Sequence, residues 1–240
     1  MGKVLKGVRL VTTLALLGLL AGPIAAHASL IFGGIVTGQI GVSNVVLTIQ
    51  NTGTESGCVA WNGTADVVGS GACPGGLSPA IIGGNEKTGN SQTQTQTVGQ
   101  TGVVSGGSLV VIIAPVEGSP LLTVENLSLT VFASTGAVLF NSGNLFGAPV
   151  TLDTSLLPAG ALGFGFLLDS TQAALINPFI NANNRIGLAT LLANTDGGND
   201  TFSVADAVNV SFLVPEPATL ALLGLGLAGL GFARRRGRSH

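Results

Sequence analysis

Residues 194–200 read Asn-Thr-Asp-Gly-Gly-Asn-Asp. Asp196, Asn199 and Asp200 set hard oxygen ligands around a flexible Gly197-Gly198 pair. Calcium takes six to eight oxygens, and a loop of this kind can supply several of them. The spacing does not fit an EF-hand, which needs a glutamate at the twelfth position. A solvated turn is the competing reading. Calcium is the one cofactor the residues allow for, and none is required. Trp61, the single tryptophan, offers a second kind of chemistry, because an indole can stack on a sugar ring. Packing against a nearby disulfide is the alternative for it. Glycoside cleavage needs only two carboxylates, at about 5 Å or about 6.5–9.5 Å. No acidic pair stands out by motif, and the chain is not expected to be an enzyme. Arg185, the only arginine between residues 29 and 213, is expected to pair with a carboxylate such as Asp169 or Asp200.

The ends must be separated from the rest before anything else is read. Residues 1–9 carry Lys3, Lys6 and Arg9 with no acid, residues 10–20 are apolar, and Ala26-His27-Ala28 is a small-x-small site. This is the three-part form of a secretory signal peptide, cleaved to leave Ser29 as the first residue. Two membrane spans enclosing a soluble domain would be the alternative. At the other end, residues 214–217 read Val-Pro-Glu-Pro, an extended segment because each proline fixes its own φ and pushes the preceding residue out of the helical region. An unbroken apolar run of 16 residues follows, then Arg234, Arg235, Arg236 and Arg238. Arginine excess beside an apolar span marks the cytoplasmic side. Sixteen residues span roughly 24 Å as a helix, short of the ~30 Å hydrocarbon core. A plain membrane tail is the competing reading of this run.

The order Pro215-Glu216-Pro217, apolar helix, arginine cluster resembles the PEP-CTERM sorting signal of Gram-negative bacteria. The resemblance covers the last tenth of the chain. It implies an exported protein held for a time in the inner membrane, recognised near Pro215, Glu216 and Pro217 by an exosortase-type processing enzyme, and passed to the cell surface or extracellular matrix. It further implies an exopolysaccharide or biofilm setting and a structural or adhesive role. A carbohydrate-binding module, calcium-assisted or not, is the alternative, and a carboxylate-dependent glycan hydrolase is a third.

The expected layout is a signal peptide at 1–28, an exported domain at 29–213 and the sorting signal at 214–240. The middle segment holds two basic residues, Lys87 and Arg185, against ten acidic ones, for a formal charge of −8. Such a surface has no basic patch, which excludes nucleic acid as a partner. Both histidines, His27 and His240, fall in the terminal segments, and tyrosine is absent. Ser-His-Asp and Cys-His catalysis and histidine-ligated zinc are therefore excluded. Cys58 and Cys73 are the only cysteines, and in an exported chain a disulfide is the default.

What must position these residues is a set of strands. Periodicity is two, with Val, Ile and Thr enriched, and the segments are cut by Asn-Thr-Gly, Ser-Thr-Gly and Asn-Ser-Gly turns. Strands are expected over 31–36, 38–50, 108–114, 121–133, 137–140, 162–168, 185–193, 202–208 and 210–214. Residues 121–133 should bury one face, with Leu127, Leu129 and Val131 inward. Residues 170–176 have helical spacing and form the one short helix. The Gln-Thr run at 92–97 reads as an edge strand or polar loop, and the stretch from Cys58 to Cys73 as a stapled surface loop. Many short strands without long helices indicate an all-β domain, a β-sandwich or jelly roll.

Overall fold

Branched and aromatic side chains at alternate positions build two antiparallel sheets that share one core. The structure is a computed structural model, and it describes residues 29–39, 45–89 and 92–213. The signal segment with Ala26 and Ala28 lies outside the described residues, as does the tail with Pro215, Glu216, Pro217, Arg234, Arg235 and Arg236. Among the described residues no helix is long and apolar enough to cross a membrane.

In chain order the strands are β1 (Leu30–Gly38), β2 (Val45–Ile49), β3 (Thr52–Trp61), β4 (Asp66–Val68), β5 (Gln96–Thr97), β6 (Leu109–Ala114), β7 (Leu121–Phe132), β8 (Val138–Asn141), β9 (Val150–Asp153), β10 (Ala161–Leu168), β11 (Arg185–Asp196), β12 (Asp200–Asp206) and β13 (Val210–Leu213). The first sheet has the order β13-β1-β10-β6-β12-β2. The second runs β4-β3-β11-β7-β8, with β5 added to β11 and β9 to β7. Every pairing is antiparallel.

Alternation decides the core. Leu109, Val111 and Ile113 of β6, Phe164 and Phe166 of β10, and Phe202 and Val204 of β12 belong to the same buried cluster as Leu127, Leu129 and Val131 of β7 and Ile186 and Leu188 of β11. Each such side chain contributes roughly 1.5–3 kcal/mol by leaving water. Alternation alone would leave the opposite face of β7 in solvent, yet Ser128 and Thr130 are buried as well. Residues 70–82 fold over this face. Cys58, Ile81 and Ala189 form a small second cluster there, with Cys73 and Leu77 against it. Asn126 secures the cover, since its Nδ2 donates to Pro79 O at 3.0 Å.

One expectation needs correction. The stretch from Cys58 to Cys73 is not a loop throughout, since residues 66–68 form β4 and pair back on β3. Residues 58–61 lie in β3, which pairs with β11 from Cys58↔Ala189 to Thr52↔Asp196. The Gln-Thr run ends, as expected, in an edge strand, β5, and is buried there, with Thr95 and Gln96 both 2 % exposed or less. Its polar atoms find partners, for Gln96 Nε2 donates to Val45 O at 2.9 Å and Thr93 Oγ1 accepts from Thr48 N–H at 3.1 Å. The short helix expected at 170–176 is present as Ser170–Ile176, capped by Asp169, which accepts from Gln172 N–H. A single turn at Val98–Thr101 with a capping box is an addition to the expected elements.

Candidate metal centre

Three connections pass from one sheet to the other at the same end of the domain. These are the β2–β3 link through Gln50 and Asn51, the β6–β7 loop at 115–120, and the β11–β12 turn at 197–199. Register brings them together, since Asp200 lies opposite Ile49, Thr201 opposite Ala114, and Asp196 opposite Thr52. Each connection is followed or occupied by an acid: Glu55, Glu117 and Asp200.

One oxygen of each acid is held by a backbone N–H of these connections. Asn51 N–H donates to Glu55 Oε1 at 2.6 Å, Val116 N–H to Asp200 Oδ1 at 3.1 Å, and Asp196 N–H to Glu117 Oε2 at 2.7 Å. The other oxygens, Glu55 Oε2, Glu117 Oε1 and Asp200 Oδ2, are buried and have no hydrogen-bond partner. Glu55 and Asp200 are 0 % exposed, while Glu117 is half-buried. One carboxylate oxygen from each residue lies within 4.8 Å of those of the other two. The loops meet closely because Gly198 has no side chain. A Cβ there would stand 1.4 Å from Val116 O.

The electrostatics follow from burial without a counter-charge. Burial pushes the Glu55 carboxyl up to about 7, with the Glu117 charge adding to it. Burial likewise pushes Glu117 up to about 8, and its contact with Asp196 adds to this. Asp200 is pushed up to about 7, again mainly by burial, with the Glu55 charge contributing. Asp196 is exposed and is held below the ordinary carboxylate value, first by hydrogen bonding with Glu117 and then by the backbone N–H groups around Ser119. Among the described residues no basic side chain pairs with the trio. Among the described residues the only ion pair is Arg185 with Asp66, at 3.8 Å. Three uncompensated carboxyls in one enclosed place must either retain protons or hold a cation.

Of the three residues the sequence points to, the structure brings only Asp200 into this group. Asp196 stands beside it, joined through Glu117, and Asn199 is exposed. Glu55 and Glu117 are not singled out by the sequence. The available signal is indirect: ten acids in a segment with two bases leave most carboxylates without a partner.

The other predicted positions lie elsewhere. Cys58 and Cys73 form a disulfide with a Cα–Cα distance of 5.1 Å, tying β3 to the segment that covers the second sheet. Trp61 ends the same strand, β3, that carries Cys58. Its ring carries the Arg185 guanidinium 4.0 Å from the centroid, and its Nε1 donates to Ser134 O at 2.9 Å. Arg185 also donates through Nε to Thr95 Oγ1 at 2.6 Å and through its terminal nitrogen to Thr95 O at 2.9 Å. Its carboxylate partner is Asp66 rather than Asp169 or Asp200. Ser29 is buried just ahead of β1.

The family profile of the PEP-CTERM protein-sorting motif matches residues 213–236. No curated protein and no solved structure matches the chain. The motif is that of a secreted protein sorted through exosortase, and it starts at the last residue of β13.

Proposed function

We propose that this chain, whose sorting motif follows an all-β domain, is displayed at the cell surface or in the extracellular matrix as a structural or adhesive element. The observation that carries the reading is the match of the sorting motif to residues 213–236, directly following the strands of the described domain. A cut near Pro215, Glu216 and Pro217 would pass on the domain with every described strand intact. Exosortase is the processing partner, the inner membrane is the transient anchor, and exopolysaccharide is the surrounding material. The net negative charge of residues 29–213 suits a soluble exported product.

Display is preferred over catalysis because Glu55 and Asp200 are fully buried and their oxygens lie within 4.8 Å of each other. Side chains with no exposed surface cannot be reached by a sugar ring. It is also preferred over a glycan-stacking role for Trp61, since Arg185 occupies one face of the indole. Glycan pulldown with and without chelator separates the carbohydrate-binding alternative. The test of sorting is replacement of Pro215, Glu216 and Pro217 by alanine in a host that has the enzyme. The expected result is a longer chain retained in the inner membrane. Unchanged size and location would sink the reading.

A further inference from the structure

We propose that Glu55, Glu117 and Asp200 form a calcium site that clamps the three sheet-to-sheet connections at one end of the domain. The inference does not depend on how the tail is processed.

The oxygens supply the first part of the case. Each of the three carboxylates spends one oxygen on a backbone N–H and leaves the other buried without a partner. Two of these side chains, Glu55 and Asp200, have no exposed surface. A buried acceptor without a donor is costly, and one on each of three converging residues makes a place where a cation can take over from shared protons. No lysine or arginine fills that role, because the one ion pair among the described residues is at Asp66.

Distance and ligand type supply the second part. Two oxygens bound to one calcium ion at about 2.4 Å can be no more than about 4.8 Å apart. The three carboxylates meet that limit. All-oxygen donors without cysteine or histidine select calcium or magnesium over zinc or copper. Magnesium demands a stricter octahedron at shorter distances and holds its waters, whereas calcium accepts irregular sets of carboxylates, carbonyls and water. Half-buried Glu117 provides the way in for the ion. Asp196 is a positioning residue, since its N–H fixes Glu117 Oε2 at 2.7 Å and its own carboxylate accepts from Ser119 N–H at 2.7 Å.

The test uses the full-length chain, purified in detergent and stripped with EDTA. Thermal unfolding is followed at about pH 8 while CaCl2 is raised to about 10 mM, within the range where extracellular calcium modules saturate. The expected result is a rise in Tm that grows with the logarithm of calcium concentration and reaches on the order of 5–10 °C once calcium exceeds its Kd about a hundredfold. Glu117→Gln and Asp200→Asn each abolish the rise, and Glu125→Gln, at a carboxyl away from the trio, keeps it. Equilibrium dialysis of the wild-type chain against CaCl2 gives one bound ion and stands even if a variant fails to fold. No rise in the wild type, equal rises in wild type and both site variants, or an equal rise with MgCl2 would each overturn the assignment.

Discussion

Replacing Asp200 by asparagine removes a buried acid, and in the absence of calcium the variant should be the more stable protein. The new side chain would keep an oxygen for the Val116 N–H that now sits 3.1 Å from Asp200 Oδ1, and its amide would offer a donor towards Glu55. What disappears is the work of ionising a buried carboxyl. Burial lifts that group from 3.8 to about 7. At about 1.4 kcal/mol per pH unit the upper limit is on the order of 4 kcal/mol. Solvent reaching the half-open Glu117 side brings this to about 2 kcal/mol. The sign follows from linkage. The folded-state pKa is raised, so the wild-type contribution is present below about pH 4 and is lost as pH rises through about 7. The variant has no such loss. Its advantage should be smallest near about pH 4 and should reach on the order of 4–8 °C in Tm by about pH 8. The assay is thermal unfolding in EDTA across this range, with both proteins in the same detergent. A variant less stable than the wild type at about pH 8, or a difference that stays flat with pH, would refute the argument that these carboxyls lack a counter-charge.

Three further outcomes are expected. Changing Cys58 and Cys73 together to serine opens a loop with a sequence separation of 15. This should cost about 3 kcal/mol, read as a lower denaturant midpoint that reducing agent reproduces in the wild type. Gly198→Ala puts a methyl group against Val116 O, 1.4 Å from the ideal Cβ position, so the β6–β7 and β11–β12 connections must separate. Roughly 1–3 kcal/mol should be lost in chemical denaturation, together with most of the calcium response. Arg185→Ala uncovers one face of Trp61 and deletes two hydrogen bonds to Thr95. A loss of roughly 1–3 kcal/mol and a red shift in the emission of the single tryptophan are expected.

The all-β architecture was legible because its strands depend on local pattern. β10 matches the expected segment to within a residue, and the helix at Ser170–Ile176 matches fully. β3 was hidden because its first half, Thr-Gly-Thr-Glu-Ser-Gly, opens within the Asn-Thr-Gly turn signal and holds two glycines, and its strand state comes from pairing along β11. The buried polar face of β7 was illegible for a related reason. Ser128 and Thr130 read as solvent-facing until residues 70–82 fold across them. The acidic group shows the limit most clearly. The spacing within residues 196–200 exposed Asp200, but Glu55 and Glu117 sit far away in sequence. They join it only where three sheet-to-sheet connections end side by side. The sorting signal was readable by contrast because Pro215-Glu216-Pro217, the apolar run and the arginine cluster are contiguous.

The central claim, an exported domain released to the surface through its tail, is tested most directly by intact mass on the native protein from fractionated cells. The account predicts a chain that begins at Ser29, ends near Pro215, Glu216 and Pro217, and is found outside the inner membrane. A mass that still includes Arg234, Arg235 and Arg236, recovered with the inner membrane, would contradict it.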